Sequence, residues 1–319
     1  MVTTTLQAPP PKTAGAAEAP AAPRRPERTH WLLLSPGLLI ITALTVVPIV
    51  VLVLSSFTDY NRRSLFTGRF ELVGVGQYQR LLGNEEFWWS LLRTLGFTAA
   101  LVVGSIAIGL ALTVLLTRLG VALRMPVTVA LICAWAMPTV ASSVVWNWLF
   151  QPGYGVVNWL LTQLGIFGDM ANTDWSNDAV LAYVSIWLLI VWQAVPFIAL
   201  TLYAAVMQVP LERQEAARMD GASEWRVWRS VVIPALRPTL GLVTILSIIW
   251  DFNVFNQIWL VSGGGPDSAT TTLGVFAFTT AFVGFQIGTG SALSVITTLI
   301  LLALTALYIR RLLRAGEDL

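Results

Sequence analysis

At 319 residues the chain is long enough for two soluble domains, yet 56% of its positions are hydrophobic and only 11% are charged, against roughly 25% charged in ordinary soluble domains. No stretch after residue 30 carries the charge density that a water-facing surface needs, so the solvent must be lipid. A net charge of +2, with basic residues dispersed at helix ends, is too small to argue for a nucleic-acid partner, and none is expected.

Residues 1 to 29 are Ala, Pro and Thr with a few charges, a composition that cannot bury enough apolar surface to offset the entropy of ordering. A disordered cytoplasmic tail is expected there. The apolar run that follows is too long for the h-region of a secretory signal and continues past Pro36, so it reads as a membrane span. A bilayer core of ~30 Å requires about 20 apolar residues in helix. Such windows fall at roughly 31 to 57, 89 to 116, 124 to 150, 179 to 207, 238 to 262 and 287 to 309. The expectation is an all-α integral membrane protein with one six-helix transmembrane domain over 30 to 312 and a short cytoplasmic tail at 313 to 319. Pro36 and Pro48 in the first span and Pro138 in the third are tolerable inside a bundle, whose neighbours re-satisfy freed backbone groups.

Short connections rich in Lys and Arg stay in the cytoplasm. With the N-terminus inside, cytoplasmic segments hold Lys12, Arg24, Arg25, Arg28, Arg118, Arg124, Arg213, Arg218, Arg226, Arg229, Arg237, Arg310, Arg311 and Arg314. Outer segments hold only Arg62, Arg63, Arg69 and Arg80. Both ends are therefore cytoplasmic. Arg93, near the outer end of span two, can snorkel to the interface.

The cytoplasmic loop between spans four and five, about 208 to 237, reads QVPLERQEAARMDGASEWRVWRSVVIPALR. Pro210 sits where a helix could begin, Glu212 falls in its first turn and Arg218 in its last, matching the helix macrodipole. Gly221 fits a left-handed stop, and Ser223 can cap a second helix on which Trp225, Trp228 and Val232 share a face. Two readings stand on physics alone: a rigid protrusion that docks to a cytoplasmic partner, or a charged loop that only obeys the orientation bias.

The pattern favours the first. Glu215, Ala216 and Ala217, then three residues ending in Asp220, then Gly221, nine further residues, and Val231, Ile233 and Pro234 resemble the EAA loop of binding-protein-dependent ABC importer permeases. Ser262 to Pro266 is similar to the Thr-x-Gly-Gly-Pro segment of that family's carbohydrate, maltose-type branch, with Ser262 replacing Thr. GVGQYQRLL before span two is similar to its Gly-Leu-x-Asn-Tyr segment, with Gln77 replacing Asn. The resemblance runs from about residue 31 to the C-terminus. It implies a type I ABC importer permease in the bacterial plasma membrane, with Glu215, Ala216, Ala217, Asp220, Gly221 and Pro234 coupling it to an ATPase. It also implies a second homologous permease, two copies of a cytoplasmic ATP-binding subunit and an extracellular solute-binding protein, beside membrane lipid.

Energy must come from another chain, because no P-loop run exists and the only lysine, Lys12, lies in the tail. One cysteine, Cys133, in an apolar run where packing is its expected role, and one histidine, His30, beside the first span, leave no disulfide framework, metal site or base for catalysis. No cofactor is implied.

Trp192 and Gln193 fall near the middle of span four. Trp250, Asp251, Asn253, Asn256 and Gln257 fall near or just beyond the middle of span five, at similar depth. Trp250, Asn253 and Gln257, spaced three and four apart, are expected on one helical face. Polar groups in lipid face a bundle interior or a wet cavity, and amides beside an indole suit a sugar. The alternative is polar glue between helices, and Asp251 is equally a candidate partner for Arg93. IWDFNVFNQIW looks most like permeases for disaccharides of the cellobiose and chitobiose kind, with glycerol-3-phosphate as an alternative solute. Two other classes stay open here: an ion-coupled secondary transporter, and a membrane hydrolase using Ser142 or Ser143.

Overall fold

The computed structural model describes residues 28 to 314 apart from residue 166, with side chains from residue 33 onward. Of the expected tail at 1 to 29, residues 1 to 27 lie outside the described residues, as do the His30 side chain and the last five residues, whereas Arg28 and Thr29 already belong to a helix. The chain divides into two compact units at Val50. The first contains helix α1 (Arg28–Ile41), a wide π-turn at Thr42–Val46 and the start of α2 (Val47–Ser55). In that turn the Val47 N–H reaches the Thr42 carbonyl. Pro48 follows directly, and the loosened turn relieves the clash between its ring and the preceding helix.

The second unit opens with an outer hairpin and two short helices, α3 (Arg62–Thr67) and α4 (Gly76–Leu82). Thr58 and Leu72 form an isolated antiparallel bridge, and Asn61 caps α3 by accepting from the Arg63 and Ser64 amides. Two contacts pin this hairpin to the outer end of the last helix, α16 in the numbering completed below. The Gly288 amide donates to the Tyr60 carbonyl (2.7 Å). The buried Gln77 amide donates to the Thr58 carbonyl (2.8 Å) and accepts from the Thr289 hydroxyl (2.8 Å).

Next come α5 (Glu85–Arg118), α6 (Val121–Ala136), α7 (Thr139–Leu149), α8 (Val156–Leu164) and α9 (Ala179–Val206). Asn84 caps α5, whose acidic first turn and Arg118 in the last turn complement its macrodipole. Small residues let α5 and α9 approach closely. A Cβ at Gly104 would strike the Trp187 ring, and one at Gly109 would lie 2.6 Å from Ile198. The Thr113 hydroxyl bonds the Gly109 carbonyl of its own helix (2.8 Å) and the Ala199 carbonyl across the interface (3.1 Å). Close backbones and interhelical hydrogen bonds drive helix association where lipid is as apolar as leucine.

The remainder comprises α10 (Leu211–Met219), α11 (Glu224–Val227), a π-turn at Trp228–Val232, α12 (Ile233–Ala235), α13 (Arg237–Phe252), α14 (Asn256–Ser262), α15 (Leu273–Phe278), a π-turn at Thr279–Val283 and α16 (Ile287–Arg314). Helices are the only extended secondary structure among the described residues. Four stretches are single rods long and apolar enough to cross a bilayer, and six spans result when two bent pairs are counted.

One of these bends, and a separate helix break, correct the sequence reading in two places. The window at 124 to 150 is two helices meeting at 101°. Pro138 lacks the N–H that would continue the ladder, and Met137 before it is pushed to an extended conformation (φ −68°, ψ 127°). The window at 238 to 262 is interrupted as well: α13 stops at Phe252 and α14 starts at Asn256, with Phe255 at φ −127°, ψ −56°. Trp250, Asn253 and Gln257 therefore do not share one continuous helical face. Cys133 is a third correction, for it is exposed on α6 instead of packing inside.

Candidate coupling loop and translocation face

The loop at 208 to 237 folds as two helices around a sharp turn. α10 has no buried residue, and Glu215, Ala216, Asp220 and Gly221 are exposed. Its stop is a Schellman arrangement: the Ala222 N–H reaches the Ala217 carbonyl (3.0 Å) and the Gly221 N–H reaches the Arg218 carbonyl (2.9 Å), with Gly221 at φ +79°. Arg218 then grips Glu224 with Nε to Oε1 at 2.7 Å and Nη2 to Oε2 at 3.4 Å, a fork that bridges the turn. This hydrogen bond raises the pKa of the Arg218 guanidinium and lowers that of the Glu224 carboxyl.

Two details differ from the sequence reading. Ser223 occupies the cap position of α11, but its side chain makes no capping hydrogen bond. Trp225 does not join Trp228 and Val232: it is 71% exposed, whereas those two are buried against Val206 and Leu236. The wide turn at Trp228–Val232 changes the helical register, and Ile233 donates to the Trp228 carbonyl there. Half-buried Pro234 follows, at the same spacing by which Pro48 follows its own wide turn. The base of the loop is thus seated on the cytoplasmic ends of α5 and α9, through Leu110, Val114 and Ala205, while its tip projects freely.

The polar candidates of spans four and five divide into groups. Trp250 is 51% exposed and meets the Phe197 ring edge-on (5.3 Å), which in turn stacks on Trp135 (6.0 Å). Asn253 and Asn256 are exposed and Gln257 is half-buried. The Asn253 amide donates to its own helix at Ile249 (2.8 Å), leaving its carbonyl oxygen free, and neither Asn256 nor Gln257 makes a side-chain hydrogen bond to a described residue. Trp192 packs instead beside Trp146 (5.8 Å). Gln193 donates to the Met137 carbonyl (3.3 Å), which the break at Pro138 would otherwise leave unpaired.

Asp251 turns the other way. It is only 7% exposed, sits beside α5 where the Thr98 hydroxyl touches its carbonyl, and one carboxylate oxygen has no partner. It does not pair with Arg93, which binds Glu86 at 2.7 Å. Trp135, Trp146 and Phe197 were not singled out by sequence, because aromatics inside apolar windows carry no mark until the bend at Pro138 sets which helices they face. Beyond α14, the Ser262 hydroxyl pairs with Thr270 (2.8 Å), and the Thr270 and Thr271 hydroxyls hold the carbonyls of Gly265 and Gly264.

Comparison with known proteins accords with this geometry. Residues 105 to 315 match the model of the family described as "Binding-protein-dependent transport system inner membrane component". The chain is 40% identical over 304 residues to the diacetylchitobiose uptake system permease protein of Streptomyces coelicolor, covering 95% of this chain and 92% of that one. It is 32% identical over 287 residues to the trehalose/maltose transport system permease protein of Thermococcus litoralis, covering 90% and 94%. Among solved structures it resembles a chain of a bacterial alginate ABC transporter crystallised with an alginate pentasaccharide-bound periplasmic protein, at a TM-score of 0.78 and 15% identity over 92% of this chain and 96% of that one. The exposed EAA-type loop, the six bent and straight spans and these matches converge: the chain belongs to the binding-protein-dependent inner-membrane permease family of ABC importers, and is a transport subunit, not an enzyme.

Proposed function

We propose that this permease imports a neutral di- or oligosaccharide of the chitobiose or cellobiose kind. The observation that carries this reading is the row of ring contacts from exposed Trp135 through Phe197 to exposed Trp250, with the exposed amides of Asn253 and Asn256 at the helix break that follows Trp250 in the chain. Indoles cover the apolar faces of pyranose rings, and amides exchange hydrogen bonds with hydroxyls. None of these residues, nor Trp192 or Gln257, is cationic, which disfavours a phosphorylated solute such as glycerol-3-phosphate. The 40% identity to a diacetylchitobiose permease supports the same class.

In this reading the domain at 30 to 312 pairs with a second, homologous permease across the aromatic face. Two ATP-binding subunits receive the tips formed by Glu215, Ala216, Ala217, Asp220 and Gly221, and an extracellular binding protein delivers the sugar. Pro234 contributes by holding the wide turn at the loop's base. Gln193 and Asp251 support the helices around the path and do not bind sugar. Calorimetry of the cognate binding protein against a sugar panel, combined with uptake by Trp250→Ala and Asn253→Ala transporters, tests the proposal. The expected result is tight binding of a β-linked disaccharide and uptake reduced about tenfold in each variant, the scale of one lost stacking or hydrogen-bonding contact. Preference for a phosphorylated or amino-acid ligand would overturn it.

A further inference from the structure

The outer hairpin holds a feature that the proposed sugar path and coupling loop do not include. Three of the four arginines outside the membrane, Arg62, Arg63 and Arg69, fall within α3 and the turn after it, against the bias that keeps basic residues inside. Among the described residues neither Arg63 nor Arg69 has a carboxylate within ion-pair distance, and Arg62 lies over the Phe285 ring at 5.4 Å. The two acidic neighbours are Asp59, whose carboxylate already accepts the Glu71 amide (2.7 Å), and Glu71 itself. Between and just after these arginines the hairpin exposes large apolar side chains, Leu65 at 45%, Phe66 at 83%, Phe70 at 56% and Leu72 at 80%.

Depth decides what such a surface meets. The Tyr60–Gly288 and Gln77–Thr289 hydrogen bonds hold the hairpin at the outer end of α16, and α2 ends at Ser55 just before it. The hairpin therefore lies at the membrane–water boundary, not out in the aqueous phase. Under it opens an apolar cavity of about 560 Å³, walled by Val51, Leu54 and Phe57 on one side and Tyr60, Leu65 and Phe70 on the other. Guanidinium groups carried by the same short helix and turn whose Ser64, Leu65, Gly68 and Phe70 wall an apolar slot match a phosphodiester joined to an acyl chain.

We propose that this hairpin is a binding site for an anionic phospholipid of the outer leaflet, with its phosphate held by Arg62, Arg63 and Arg69 and one acyl chain in the cavity. A soluble acidic protein would match the arginines but would leave the cavity and the exposed Phe66 without a role at this depth.

The test uses the assembled transporter in mixed micelles containing dioleoyl phosphatidylglycerol or dioleoyl phosphatidylcholine, with retained lipid counted by native mass spectrometry. Phosphatidylglycerol should be retained in preference to phosphatidylcholine. Retention should fall about tenfold or more in Arg62→Ala/Arg63→Ala/Arg69→Ala and stay unchanged in an Arg80→Ala control. Phe66→Ser/Leu72→Ser, which alters only exposed side chains, should weaken retention too, and so keeps the test meaningful if the arginine variant fails to assemble. Free glycerol phosphate should not compete, because it lacks the chain that fills the cavity. Equal retention of both lipids, or retention unchanged in both hairpin variants, would overturn the proposal. So would a triple-arginine variant that keeps the lipid but loses affinity for the solute-binding protein.

Discussion

Gly221 is where a single side chain controls the most. Its φ of +79° lies in the left-handed region, and nothing stands within 4 Å of where a Cβ would be. The constraint is therefore conformational and not steric. An alanine there costs about 1 to 2 kcal/mol, while proline cannot adopt a positive φ at all and would displace α10 as a unit. Gly221→Pro should abolish co-purification of the ATPase and solute uptake together, and Gly221→Ala should reduce both partially. Glu215→Ala should weaken ATPase binding without affecting membrane insertion, because Glu215 is exposed and touches no span. Pull-down of the ATPase beside transport assays checks all three. Normal values in both assays for the proline variant would remove the support for a docking role. The glycine's role was legible in the sequence, since few residues other than glycine end a helix this way. Trp225 was misplaced, because the wide turn that follows it shifts the register and leaves no compositional trace.

At the scale of elements, α6 is strapped to α9 at both ends. On the cytoplasmic side Arg124 donates to the Tyr203 hydroxyl (2.8 Å) and the Leu119 carbonyl (2.6 Å), with its guanidinium 5.6 Å over the Tyr203 ring. At the break, Gln193 holds Met137. The coupling loop seats on the end of α9 through Val206, so a displacement of the loop reaches the broken helix through these two straps. Arg124→Ala should lower uptake about tenfold, the scale of losing hydrogen bonds from a charged donor, while binding-protein-stimulated ATP hydrolysis stays within about twofold of normal. Parallel loss of both activities would reduce Arg124 to a structural prop. Uninterrupted apolar runs such as α5, α9 and α16 were readable from hydropathy alone. Pro138 was read only as a proline that a bundle tolerates within one span, and the bend of 101° depends on the neighbours that receive each half. The stop at Phe252 has no proline near it and was not visible at all.

For the whole molecule, the orientation rests on charge bias. In a Cys133→Ser background, needed because Cys133 is exposed on α6, single cysteines at Asn177 and Ser268 should react with a membrane-impermeant reagent added from outside. One at Ser223 should react only after permeabilisation. Outside labelling at 223 would invert the topology. The all-α class and up to six spans were legible because lipid enforces long apolar helices, and the helix–turn–helix shape of the loop at 208 to 237 was legible because its turn chemistry is local. The aromatic face was not, because it assembles from α6, α9 and α13, whose relative rotation no local pattern encodes.

Gln77 has a consequence for how the protein comes into being. Its amide joins Thr58, 19 residues earlier, to Thr289, 212 residues later. At about 5 to 20 residues per second the ribosome needs roughly 10 to 40 s to make the intervening chain. Throughout that interval the outer hairpin lacks both of the contacts that pin it to α16. Closure of the hairpin therefore waits for α16 and marks the moment at which the first and last parts of the newly made chain meet on the outer side of the membrane.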